Sequence, residues 1–176
     1  MTTNNTVSID QLEMFQRLTR SEYAWIVNLV SKQLADGAKI EKIINQITID
    51  RIKMAKEKFE FSKKILDALE STEINQKIIV TLNYYAMYQV ARAVVFHTHR
   101  SDVDNHEKLS YKLGIIFGKE YEELLTHWRE LRNEFDYSPY PKIDMPLNEI
   151  VEQSIIDTEK LITESVEYIK NRGVKL

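Results

Sequence analysis

Residues 78–96, IIVTLNYYAMYQVARAVVF, limit what this chain can become more than any other stretch. Fifteen of the nineteen are apolar or aromatic, and only Thr81, Asn83, Gln89 and Arg92 interrupt them. With no Gly or Pro the run reads as a helix, and a helix apolar nearly all round belongs in a protein interior or a bilayer. An arginine is poorly tolerated near the middle of a span, and the run is only just long enough to make one. The stretch is therefore expected to be the central helix of a soluble helical bundle. Tyr85, Tyr88 or Gln89, Arg92 and His99 recur at spacings that line one helical face. A buried helix carrying such a stripe needs partners for it: another helix, a second subunit or a ligand.

A chain of 176 residues suggests one domain with room for an appendage, and 43 % hydrophobic content is enough for a core. Four Gly and three Pro suit long helices with short connections. No strand alternation and no internal repeat is visible. The formal net charge of −3 gives no support to a globally basic nucleic-acid binder. With no Cys there are no disulfides and no thiolate metal sites. The start, MTTNNTVSID, lacks the basic-then-apolar order of a signal peptide, so a cytoplasmic protein with no membrane association is expected.

Taken in order, residues 1 to about 7 read as a disordered start, and Ile9 to Leu18 as a short helix with Ser8 or Asp10 near its beginning. Ser21 to Leu34 is a second helix, with Ser21 as N-cap, a stripe of Tyr23, Ile26, Val27, Val30 and Leu34, and Trp25 as an anchor beside it. Asp36-Gly37 stops it. Residues 1–45 are expected to be an N-terminal helical extension, 46–172 the bundle and 173–176 a tail. Lys39 to Leu69 reads as helix with a bend at Thr48 to Asp50. Between Arg51 and Lys64, six basic residues face two acidic ones; this is a solvated face or a ridge for RNA phosphates. Ser71 to Asn75 is a connection, and His97 to Asn105 a polar loop. Asp104 or Asn105 caps a helix over His106 to Phe117 that Gly118 ends. Glu120 to Phe135 turns Tyr121, Leu124, Leu125, Trp128, Leu131 and Phe135 inward. A proline-rich loop from Tyr137 to Pro146 leads, through Asp144 as cap, to an acidic last helix from Leu147 to Lys170.

The four histidines, His97, His99, His106 and His127, lack metal-ligand spacing, and there is no HExxH, phosphate loop or G-x-S-x-G. No metal and no cofactor is expected. The densest polar cluster is WRELRNEFDYSPY, residues 128–140. Arg132 and Asp136 there are an i,i+4 ion pair that closes a helix, or two members of a site with Arg129 and Asn133. Arg92 in the central helix needs a partner, either Asp136 or Glu134 or a bound anion.

Three segments resemble a known family in order and spacing. NYYAMYQVARAVV is similar to the RAYYAMFHAARALL type of segment of HEPN domains, NHEKLSYKLGIIFGKEY to their H-x-x-(I/L)-x-x-x-FGKEF segment, and LRNEFDYSPY to their LRNxADYxPY signature. The resemblance runs over roughly residues 50 to 170. It implies an all-α, antiparallel HEPN-type bundle of four or five helices that forms a homodimer with the Arg motifs in a shared cleft. It also implies RNA as the target: a metal-independent ribonuclease, the toxin-like half of a toxin–antitoxin or defence module restrained by a nucleotidyltransferase partner. Arg132, Asn133, Asp136 and Tyr137 would be the catalytic set, and Tyr85, Arg92, His106 and Tyr140 would bind RNA or nucleotide. The chain departs from the ribonuclease pattern where a His should follow Arg132, since Tyr137, Ser138 and Pro139 occupy those positions. The alternative is a catalytically silent HEPN module that binds nucleotide or the nucleotidyltransferase, with Tyr137 or Tyr140 open to adenylylation.

Overall fold

The computed structural model describes residues 7–33 and 35–176. The expected disordered start, apart from Val7, and Leu34 of the second helix's stripe lie outside the described residues. Seven helices follow one another: α1 (Ile9–Phe15), α2 (Arg20–Ser31), α3 (Gly37–Ala68), α4 (Glu73–His99), α5 (His106–Phe117), α6 (Lys119–Tyr137) and α7 (Leu147–Lys170). There is no strand among the described residues, so the fold is all-α. No helix is long and apolar enough to cross a membrane, among the described residues.

α4 is the hub and packs against α3, α5, α6 and α7. Its buried residues include Val80, Ala86, Met87, Val90, Ala91, Ala93, Val94 and Val95, spread around the helix as the apolar run predicts. The alanines let neighbouring backbones come close, and each large side chain withdrawn from water contributes about 1.5–3 kcal/mol. Paired contacts fix the directions. Ser62 meets Asn83 and Arg51 meets the Arg92 carbonyl, so α3 runs opposite to α4. Asn83 meets Ser154 and Thr98 meets Tyr168, so α7 runs with α4. Trp128 donates to Asp157 at 3.0 Å and Tyr121 donates to Glu164, so α6 runs opposite to α7. The acidic face of α7 thus takes ring donors from α6. Burial and Glu164 push the Tyr121 phenol up to about 12.

A second, smaller core joins α1 and α2 to the first half of α3. It contains Phe15, Leu18, Ile26, Ile43, Ile44, Ile47 and, from α4, Phe96. α3 passes unbroken from this cluster into the main one, with no interruption at Thr48 to Asp50, where the Thr48 hydroxyl donates to the Ile44 carbonyl.

Several local expectations are corrected. Thr19, not Ser21, caps α2, in a reciprocal box with Glu22. Asp36 does not stop α2 but caps α3, accepting from the Ala38 and Lys39 amides. Trp25 does not anchor the hairpin: it is 63 % exposed, and Val27 is exposed as well. α4 begins at Glu73 inside the expected connection, capped by Thr72, and extends through His99 into the expected loop. Pro146 rather than Asp144 sits at the N-cap position of α7, and no side chain caps that end. Gly118 serves both α5 and α6 at φ +117, a conformation L side chains rarely adopt, and so sets the sharp joint that aims α6.

A buried polar thread sets the register of the three long helices. The Ser62 hydroxyl lies 2.5 Å from Asn83 Oδ1, and Asn83 Nδ2 donates to Ser154 Oγ at 2.8 Å. Both serines also donate to carbonyls on their own helices, of Phe59 and Val151. Asn83→Leu is therefore expected to cost about 1–3 kcal/mol, the serines keeping a local acceptor each. Urea unfolding measures it, and a loss under about 0.5 kcal/mol would show that the thread carries no register information.

Candidate functional site

The site is built on the polar stripe of α4, where it meets the C-terminal turns of α6 and the start of α5. Arg132 reaches inward from α6 and is only 5 % exposed. Its guanidinium carbon stands 5.2 Å from the ring centres of both Tyr84 and Tyr85 and 5.8 Å from that of Tyr137. These are cation–π distances. Its polar contacts are long: Nη1 donates to Tyr137 Oη at 3.3 Å and to Asp136 Oδ2 at 3.5 Å. Nε is buried with no hydrogen-bond partner among the described residues. Burial opposes the charge on Arg132, but Tyr85, Tyr137, Tyr84 and Asp136 more than offset it and hold the guanidinium above its ordinary pKa. The result is a permanent cation inside an aromatic cage, with one loosely held ion-pair partner, Asp136.

Beside the cage, Tyr84 and His106 share a short hydrogen bond between the phenol and Nδ1. Burial raises the Tyr84 phenol well above its usual value, so it keeps its proton. The His106 ring stacks on Tyr88 at 4.4 Å. Burial, then Arg132, Arg129 and Arg92, lower the His106 pKa, with Asp104 opposing. His106 is the first residue of α5, behind its N-cap Asn105. With Asp104, Asn105, Glu107 and Arg129 it lines an open cleft of about 480 Å³.

His106 is neutral at pH 7, and proton NMR titration should find its midpoint below the ordinary 6.5. The sign for stability follows. A base whose folded pKa is lowered contributes fully above about pH 6.5, and the contribution falls away as the pH drops toward the folded value. His97, buried in α4 beside Arg100 and Arg172, behaves alike and is pushed down to about 4, chiefly by burial. Between pH 7 and about 4 the wild type should lose stability faster than His97→Gln. Parallel pH curves for the two would mean that His97 titrates normally.

The expected site residues divide into groups. Arg132, Asp136, Tyr137, Tyr85 and His106 come together, and Thr81 of α4 adds a 3.3 Å hydrogen bond to Asp136. Asn133, adjacent in sequence, is exposed. Tyr137 is 76 % exposed above Arg132, and Tyr140 is 87 % exposed beyond it. Arg92 does not pair with Asp136 or Glu134. It forms a bidentate pair with Asp102, its Nε 3.2 Å from Oδ1 and its Nη2 closer still to Oδ2. It joins the cage only indirectly, its guanidinium 5.5 Å from the Tyr88 ring that stacks on His106. Asp102 also holds Arg51, at 2.9 Å, so one carboxylate bridges two arginines from α3 and α4. Arg51 is thereby withdrawn from the basic ridge, and burial lowers its pKa to about 10 against the pull of Asp102. Tyr84, against the Arg132 guanidinium, and Asp102, between the two arginines, are neighbours of the candidate site that sequence reading passed over. A buried Tyr in an apolar run looks like core, and HTHRSDVDN looks like a solvated loop.

Comparisons of the chain with family models, with curated proteins and with solved structures find no match. The case for the site therefore rests on its residues and their geometry. Among the described residues no cluster of His, Asp and Glu has the form of a metal site.

Proposed function

We propose that this chain is a HEPN-type, RNA-directed protein working through Arg132, the ribonuclease-toxin-like half of a toxin–antitoxin or defence module. The observation that carries the reading is the state of Arg132: buried, permanently charged and caged by tyrosines, with its acidic neighbour Asp136 at a long 3.5 Å and its Nε unpartnered among the described residues. An anionic oxygen approaching it would supply the strong charge-assisted contact that the fold does not. In cleavage by an RNA 2′-OH, such a cation stabilises the negatively charged phosphorane, an effect of about 10²–10³-fold for one well-placed donor. His106 supplies the imidazole absent from the Tyr137–Pro139 stretch: neutral at pH 7, beside the cage and oriented by Tyr84. Tyr85 and Tyr137 offer rings for a base, and Asp136 shapes the rim.

On α4, the exposed Ile74 and Ile78 continue the stripe toward Thr81 and Tyr85, and Tyr137 and Tyr140 are exposed as well. This rim favours a homodimer that faces its two Arg132 centres toward each other, with a nucleotidyltransferase as the restraining partner. The exposure of Tyr137 directly over Arg132 favours a second reading, a silent module in which a nucleotide held by Arg132 stacks on Tyr137.

The test is induced expression of wild type beside Arg132→Ala, following growth and RNA integrity. Arrest with RNA cleavage, both lost in the variant, is the expected result. Normal growth and intact RNA in both would overturn the nuclease reading and leave nucleotide binding at the same residue to be measured.

A further inference from the structure

We propose that the exposed face of α3 is a single-strand track, with RNA phosphates on Lys58 and Lys64 and a base stacked on Phe61, leading to the Arg132 centre. The proposal rests on the RNA reading above and adds where the strand lies. Lys58, Phe61 and Lys64 fall at i, i+3 and i+6, neighbours along one diagonal row of a helix. Phe61 is 55 % exposed, although a core position lies next to it at Ser62. At the solvent side the row opens on a groove of about 480 Å³ whose lining includes Lys53, Lys56, Phe61 and Lys64 together with Glu57 and Glu60. At the other end Lys58 stands 6.0 Å from the Tyr85 ring, and Tyr85 is one wall of the Arg132 cage. Basic groups and aromatic rings thus continue from the groove to Tyr85, which walls the buried arginine.

The charge balance suits a polyanion. Glu60 is held by Lys63 at 2.6 Å and Glu57 by Lys53 at 3.8 Å. Lys56 and Lys64 have no carboxylate partner among the described residues, and neither has Lys58. From Lys53 to Lys64 the row covers roughly 16 Å of helix axis at about 1.5 Å per residue. Lysines at phosphates with a ring between them is the arrangement by which single strands are bound without reading their sequence. A duplex, whose bases are already stacked, leaves Phe61 nothing to do, so single strands are the occupant.

The experiment is fluorescence anisotropy of the full chain with a labelled 2′-O-methyl oligouridylate about twelve nucleotides long. The methyl group prevents cleavage during the titration. The wild type should bind with an affinity that falls between about 50 and 200 mM salt. Phe61→Ala should weaken binding about 5-fold or more. Lys58→Gln and Lys64→Gln should each lower the slope of log affinity against log salt by about 0.7. Lys119→Gln, on a remote exposed lysine of α6, should change neither. All four replace exposed or half-buried side chains, and unchanged thermal melting verifies that they fold. If the wild type binds and Arg132→Ala abolishes binding while the α3 variants do not alter it, the track is wrong and the RNA reading stands. No binding by the wild type overturns both. Lysine dependence without Phe61 dependence, with polyglutamate competing as well as RNA, overturns the track in favour of a general acidic-partner surface.

Discussion

Asp102→Ala should lower the stability of the protein by about 3–5 kcal/mol, a large part of the 5–15 kcal/mol typical of a domain. Among the described residues Asp102 is the carboxylate that joins the buried Arg51 to the partly buried Arg92, at 2.9 Å from the first and in a bidentate pair with the second. Removing it leaves two cations facing each other, Arg51 buried and Arg92 only partly in reach of water. The damage should also be directional. Arg51 donates to the Gln16 carbonyl at 3.0 Å, and the Asp102 amide donates to the Leu18 carbonyl at 2.9 Å. Those carbonyls end α1 and precede α2, so hydrogen exchange should rise first in the N-terminal hairpin. Asp102→Asn keeps an acceptor oxygen but no charge and should recover part of the loss. Removing the charges together, as Asp102→Leu with Arg51→Met and Arg92→Met, should recover more, since a buried ion cluster is often replaceable by apolar groups of similar volume. Urea unfolding midpoints decide the matter. A loss below about 1 kcal/mol for Asp102→Ala would mean that the arginines find water or other partners, and the cluster would not be what joins hairpin to bundle.

That cluster also marks where the sequence stops being legible. α4 could be read because an apolar run of nineteen residues has few alternatives, and α5 because Asn105 and Gly118 bracket it by local rules of capping and chain reversal. The caps of α2 and α7 were misread for the same reason that these succeeded. Several polar residues competed near each end, and tertiary context chose among them. The partner of Arg92 was beyond reach, because the choice among Asp102, Glu134 and Asp136 depends on where α4 ends, which periodicity does not fix. Within the site, the spacing of Arg132 to Asp136 and Tyr137 was visible because one helix carries all three. Its closeness to Tyr84, Tyr85 and His106 joins three helices, and no spacing rule in one dimension encodes that. The N-terminal extension had no visible purpose in the sequence. In the fold, Phe15, Leu18 and Ile26 cover Ile43, Ile44, Ile47 and Phe96, apolar residues of α3 and α4 that water would otherwise reach.

Arg132→Met should do the reverse of Asp102→Ala: leave stability unchanged or raise it by up to about 1–2 kcal/mol, and abolish function. The argument is one of balance. Holding a guanidinium out of water costs several kcal/mol after relaxation. What returns is modest: two long hydrogen bonds, at 3.3 and 3.5 Å, and three aromatic faces worth about 0.5–2 kcal/mol each. Methionine fills a similar volume against Tyr84 and Tyr85 and costs no charge burial. By the same reasoning Asp136→Ala should alter stability little, its contact with Arg132 being long and its own side chain partly in water. An anion in the cage changes the balance. Arg132 then gains a charge-assisted partner, which Met cannot offer and Lys offers without the planar fork, so Arg132→Lys should retain only part of the activity. Growth arrest and RNA cleavage, or nucleotide affinity if the module is silent, should fall by about 10²-fold or more in Arg132→Met. Thermal melts made on the same preparations separate the alternatives. A variant that is stable and inactive identifies a cation kept in place for a ligand at the expense of the fold. A variant that unfolds by 3 kcal/mol or more identifies Arg132 as a tie between α6 and α4, and the functional centre would have to be sought around His106 and Arg129 instead.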